Sequence, residues 1–232
     1  MTVLIALPGV CATAQDNNEI NNDSTERKPG HVCIHSDGDR SWEVFSSGFY
    51  FGFGGNSSHG LTSLNKEVGC LNIVALGHNF GTRNRLSLGV GYQARYIDIK
   101  KGNMLNKLDD GVVASAPWPT EFSNTKSQIT VHSIQFPLLY AKGFNKHLWI
   151  WLGPVLNWNH YAYFTNRHRL GDATTNVSVK GLKQRKISVD IMCGLAFRHM
   201  GIYLRYSPMS TFKKDFGPEI KNTVMAGLTF GF

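Results

Sequence analysis

Three stretches of the chain gather side chains capable of chemistry. His31, Cys33 and His35 occupy alternate positions, so an extended backbone puts all three on one side, with Asp37 nearby. Such a set offers nitrogen and sulfur ligands to a metal such as zinc. No second Cys/His cluster completes it, and the four cysteines at 11, 33, 70 and 193 show no CxxC spacing. A solvated segment is therefore the expected reading, with no metal and no other cofactor. His132 beside Ser133, with His160 and Asp190 further on, provides the residue types of a base and a nucleophile. Adjacent strand residues face opposite sides, so His132 cannot activate Ser133, and the sequence carries no GxSxG motif or phosphate loop. A lipid-modifying barrel enzyme is thus the least favoured function, and no catalytic residue is assigned. The third stretch, 165–186, carries Arg167, Arg169, Lys180, Lys183, Arg185 and Lys186 against Asp172, six basic residues less one acidic, or +5 of the chain's +8. Guanidinium forks and ammonium point charges suit phosphate oxygens. Which phosphates are within reach depends on where the fold places this segment.

The elements that must carry these groups read as strands. Among 232 residues there are 24 Gly, 14 Phe and 8 Tyr, and only 17% are charged. Apolar groups recur at every second position, as in 85–99, where Leu86, Leu88, Val90, Tyr92, Ala94 and Tyr96 oppose Arg85, Ser87, Gly89, Gly91, Gln93 and Arg95. Segments 187–199 and 223–232 repeat the pattern. Residues 147–166 lack Lys, Arg, Asp and Glu, a length sufficient for a spanning helix, but Gly153, Pro154, Asn157 and Asn159 interrupt it and its alternation favours a strand. Eight strands are expected near 42–55, 70–80, 85–99, 127–142, 148–164, 187–198, 202–207 and 222–232. Their connections alternate long and short. The expected fold is all-β, an eight-stranded antiparallel up-and-down transmembrane β-barrel with both termini on the short-turn, periplasmic side.

Polarity supports that choice. A soluble barrel turns its apolar face inward and carries enough charge outside for solubility. Here the polar face consists of Gly, Ser, Gln and Thr with few ions, which suits a narrow lumen. Glu43, Arg95, Asp190, Arg198 and Arg205 are expected to form its charge network. At the N-terminus, Val3 to Ala14 is uncharged and ends on Ala12-Thr13-Ala14 before polar Gln15, which reads as a signal peptide over 1–14. Residues 15–41, rich in Asn, Asp and Ser, are expected to form a flexible periplasmic segment, with the barrel over 42–232. Export and membrane burial leave no nucleic-acid partner for the basic charge.

The stretches SIQFPLLYAKGF (133–144) and GIYLRYSPMSTFKKDFGPEIKNTVMAGLTFGF (201–232) resemble the Bacteroidota outer-membrane β-barrel domain family, often labelled porin-like. The resemblance runs over roughly 42–232. It implies an integral barrel of the bacterial outer membrane with no agreed substrate. The ending Gly227, Phe230, Phe232 resembles the signal read by the barrel-assembly machinery, with Met225 where that signal prefers a polar residue. The expected function is structural or weakly porin-like, since eight strands leave an interior only wide enough for side chains. A surface adhesion barrel acting through its outer loops is the alternative. In such a membrane Arg167, Arg169, Lys183, Arg185 and Lys186 are expected to contact lipopolysaccharide phosphates.

Overall fold

The computed structural model describes residues 32–37, 40–56, 61–81, 83–145 and 147–231, and of 32–37 only the backbone. The signal peptide expected over 1–14, most of the segment over 15–41, His31, the side chains of Cys33 and His35, and Phe232 lie outside the described residues. Thirteen strands are present: β1 (Val32–Asp37), β2 (Arg40–Phe45), β3 (Phe49–Gly55), β4 (Thr62–Phe80), β5 (Asn84–Ile99), β6 (Asn103–Lys107), β7 (Val113–Pro117), β8 (Ser123–Gly143), β9 (Leu148–Leu170), β10 (Ala173–Lys180), β11 (Ile187–Phe197), β12 (Met200–Ser207) and β13 (Thr223–Phe230). Antiparallel pairing runs β3–β4–β5–β8–β9–β11–β12–β13 and returns from β13 to β3, closing an eight-stranded barrel. Closure pairs every wall strand on both sides and leaves no open edge in the ring.

The first wall strand is broken in two. β2 pairs with the lower part of β4 and β3 with its upper part, and the break at 46–48 faces a register shift in β4 between Cys70 and Val74. Ser47 bridges the gap: its N–H donates to Asn72 O at 3.0 Å, and Asn72 Nδ2 donates to Ser47 Oγ at 3.1 Å. Gly48 is required here, because a Cβ would lie 1.7 Å from Phe230 O. The sheet also begins before the expected boundary at Ser41, because β1 pairs with β2. The backbone's need for partners extends the sheet where composition alone reads as a leader.

The wall is uneven. β4, β5, β8 and β9 have 19, 16, 21 and 23 residues, whereas β3, β12 and β13 have 7, 8 and 8. Two expected long loops are therefore largely strand. β9 continues to Leu170 and turns at Gly171 into β10, which pairs with it from Lys180 to Ala173; β6 and β7 form a hairpin within 100–126. The expected second strand starts at Thr62 rather than Cys70, because Lys66 and Glu67 alternate outward and inward like their apolar neighbours. Opposite charges on the two faces hid the period.

Side chains fill the enclosed space from end to end. Toward the short turns lie Tyr50, Leu71, Leu139, Trp151, Val155, Met192, Ala196 and Tyr203. Toward the long-loop end, the tall wall contributes Ile97, Ile129, Val131 and Phe164 to a core completed by Leu105, Val113, Leu182, Phe212 and Ile220. The β6–β7 hairpin and the 208–222 loop thus fold over the mouth as an apolar cap.

Candidate functional site

Between these two apolar layers sits a buried ionic network. Alternation on β4, β5, β11 and β12 turns Glu67, Arg95, Asp190 and Arg205 into the lumen. Arg205, without solvent exposure, reaches Glu67 Oε2 at 3.3 Å and Asp190 Oδ2 at 3.9 Å. Arg95 reaches Asp190 Oδ2 at 3.0 Å and Glu67 Oε2 at 3.6 Å. Two acids and two guanidiniums alternate, so the buried charge sums to zero, the condition under which ions tolerate burial. Hydrogen bonds extend the layer. Tyr203 Oη donates to Glu67 Oε1 at 2.7 Å, Gln93 Nε2 donates to Glu67 Oε2, and Gln135 Nε2 donates to Tyr50 Oη at 2.8 Å. The Arg205 guanidinium lies 5.0 Å from the Tyr50 ring centre, a cation–π contact.

Small residues give these rings room. A Cβ at Gly52 would sit 2.2 Å from Tyr203 Oη, one at Gly69 2.7 Å from Tyr50 Oη, and one at Gly227 2.7 Å from the Tyr203 ring. Gly227 thus has a packing role, while Phe230 stacks on Phe51 at 5.9 Å between ring centres. Beside the network a cavity of about 20 Å³ is lined by Arg95, Ser133, Asn157, Asn159, Ser188 and Asp190 among others. It has room for about one water molecule and for no solute.

Of the five residues expected in the lumen network, the structure brings together Arg95, Asp190 and Arg205. Glu43 instead pairs with Arg85 at 2.9 Å, and Arg85 also lies 4.9 Å from the Phe45 ring. Arg198 is not in the lumen: it is exposed in the two-residue turn between β11 and β12 at φ 55°, where a tight hairpin requires positive φ. Glu67, which pairs with both guanidiniums, was missed because the expected second strand began three residues beyond it. The extension of the period-2 pattern back through Val68 and Lys66 was the available signal.

The expected phosphate-contact residues do not share one surface. Arg167 projects outward from β9. Arg169 binds Asp172 at 3.0 Å near the β9–β10 turn, and the exposed Lys183 donates to Asp110 O at 3.0 Å and lies 4.0 Å from the Phe216 ring, on the outside of the cap. Arg185 is half-buried, and Lys186 is exposed just before β11. His132 and Ser133 face opposite sides, as expected: His132 Nδ1 bonds Tyr92 Oη at 2.7 Å outside, and Ser133 Oγ donates to Asn159 Oδ1 at 2.6 Å inside. Among the described residues no group of three metal-ligating side chains occurs. Cys70 and Cys193 are free thiols; Cys70 lies mid-strand opposite Phe49, not at the outer end of the wall.

The exterior is inverted relative to this interior. Phe49, Phe51, Leu88, Leu152, Trp158, Ile191, Ile202, Leu204 and Val224 are all exposed, around the whole ring. On β9 the exposed apolar run from Ile150 to Tyr161 rises about 36 Å along the strand, or about 28 Å along an axis from which strands tilt by about 40°. No family model and no curated protein sequence matches the chain.

Proposed function

We propose that the chain is an integral barrel of a bacterial outer membrane whose lumen is occluded and whose work is done by its outer wall and its surface cap. The observation that carries this reading is the inversion of polarity: charged and amide side chains are buried in the lumen while an apolar belt is exposed to the surroundings. In water that belt would be an aggregation surface, because soluble proteins rarely expose contiguous apolar patches beyond a few hundred Å². In a bilayer its height matches the roughly 25 Å apolar band of such barrels.

The packed lumen favours a structural or surface-interaction role over a porin-like one. Two apolar layers and a neutral ionic network fill the interior, with a cavity of about 20 Å³ beside the network. The chain is proposed to have no catalytic role, its assembly passing through the barrel-assembly machinery. The decisive experiment is refolding of the purified chain with and without lipid. It should float with phospholipid vesicles and migrate faster on gels before boiling than after. A monomer that stays dispersed without detergent and does not float would overturn the membrane reading.

A further inference from the structure

The outward face of the tall wall is ordered in layers by strand register. One cross-strand row is Tyr92, Ile134 and Trp158, with Ile187 beside it; the next holds Ala94, His132 and Tyr161. Above them, Lys66, Tyr96, Thr130, Tyr163 and Lys180 are consecutive partners across five strands. Higher still, Lys126 faces Arg167, which faces Asn176. The face therefore passes from apolar to aromatic to basic within one continuous surface. His132 stacks on Tyr163 with ring centres 6.0 Å apart, and Tyr161 lies 5.5 Å from Tyr163, so the aromatic layer is a packed shelf.

The charge above that shelf is only partly neutralised. Asp98 is shared by Lys66 at 3.0 Å and Lys126 at 3.4 Å, one acid between two ammoniums. Arg167 and Lys180 have no acidic partner among the described residues. Lys126 and Arg167 are adjacent, whereas Lys180, level with Tyr163, lies about 13 Å lower along the strands, four residues below Arg167. That spacing fits a headgroup with two separated phosphates better than one with a single phosphate.

We infer that Lys126 and Arg167, standing over the Tyr163–His132 shelf, and Lys180, beside it, bind the headgroup of a bisphosphorylated glycolipid whose acyl chains run down past Trp158 and Ile134. The inference rests on the membrane reading above, and it replaces the dispersed set expected from sequence with residues of one face. Arg167 supplies a fork to one phosphate and the two lysines supply point charges.

The test uses the full chain folded in zwitterionic detergent micelles, with lipid adducts counted by native mass spectrometry. Probes are diphosphoryl lipid A, its dephosphorylated form, and inorganic phosphate. The parent should prefer the diphosphoryl form, and K126Q/R167Q/K180Q should bind it at least about tenfold more weakly. The variant K142Q/K213Q/K214Q, which removes the same charge from exposed positions away from this face, should bind like the parent. Salt near 0.5 M should mimic the first variant. Equal losses in both variants would reduce the effect to net charge and overturn the site, as would equal binding of the phosphorylated and dephosphorylated forms. Displacement of the lipid by millimolar inorganic phosphate would mark a free-anion site and refute the lipid assignment. All variants must show the heat-modifiable gel shift. A chain that shifts and enters micelles but shows no preference sinks the inference alone, whereas a chain that enters none sinks the membrane reading.

Discussion

Replacing Glu67 by Gln keeps the shape of the lumen and removes one charge from a buried set that sums to zero. Arg205 then remains unexposed, with its nearest anion Asp190 at 3.9 Å instead of Glu67 at 3.3 Å, and Arg95 loses a partner at 3.6 Å. At an effective dielectric of about 20, a 3.3 Å pair is worth about 5 kcal/mol of Coulomb energy. The amide recovers part of this by accepting from Tyr203, and the carboxylate's own desolvation cost disappears. Leaving a buried ion uncompensated commonly costs about 3–5 kcal/mol, and E67Q should fall in that range. The Glu67→Met/Arg205→Met double variant, which removes one acid and one base, should lose much less than the sum of the single changes. Urea unfolding in lipid vesicles, followed by tryptophan emission and gel shift, measures each arm of the cycle. An E67Q loss under about 1 kcal/mol, or additivity of the two single changes, would show that solvent reaches the network and that the lumen is not sealed.

Three further outcomes follow from the same geometry. Leu88→Arg, at an exposed position of the belt, should cost about 2–4 kcal/mol in a bilayer; an unchanged unfolding midpoint would place that face in water. Gly227→Val should cut the yield of folded barrel severely, because its Cβ would lie 2.0 Å from Phe51 O and 2.7 Å from the Tyr203 ring; Tyr203→Ala in the same chain should recover little, since the backbone clash persists, and full rescue would contradict the packing argument. In a planar bilayer the parent should show no discrete conductance steps, and regular steps of fixed size would refute occlusion.

Alternation along the chain was enough to read the two faces of the wall and the number of strands in the ring. Period-2 alternation is a local property, so 85–99 and 187–197 read correctly from their own residues. Local rules could not reveal where strands extend beyond that alternation. Arg167 to Leu170 and Ala173 to Lys180 are polar and look like loop, yet each backbone completes the other's hydrogen bonds, and only the register of the hairpin shows it. Glu67 escaped for a related reason: a lone acid near a strand end looks solvated until Arg95, 28 residues later, and Arg205, 138 residues later, meet it in space. Arg198 read as a lumen charge by parity alone, and turn geometry removed it. The fold likewise separates the basic residues of 165–186, because β9 above the bulge at His160 sends its odd-numbered residues outward while Lys183, exposed, is tied to the loops over the mouth through Asp110 O and the Phe216 ring. Which charges share a surface is a matter of chain crossing and closure, and no window of the sequence contains that information.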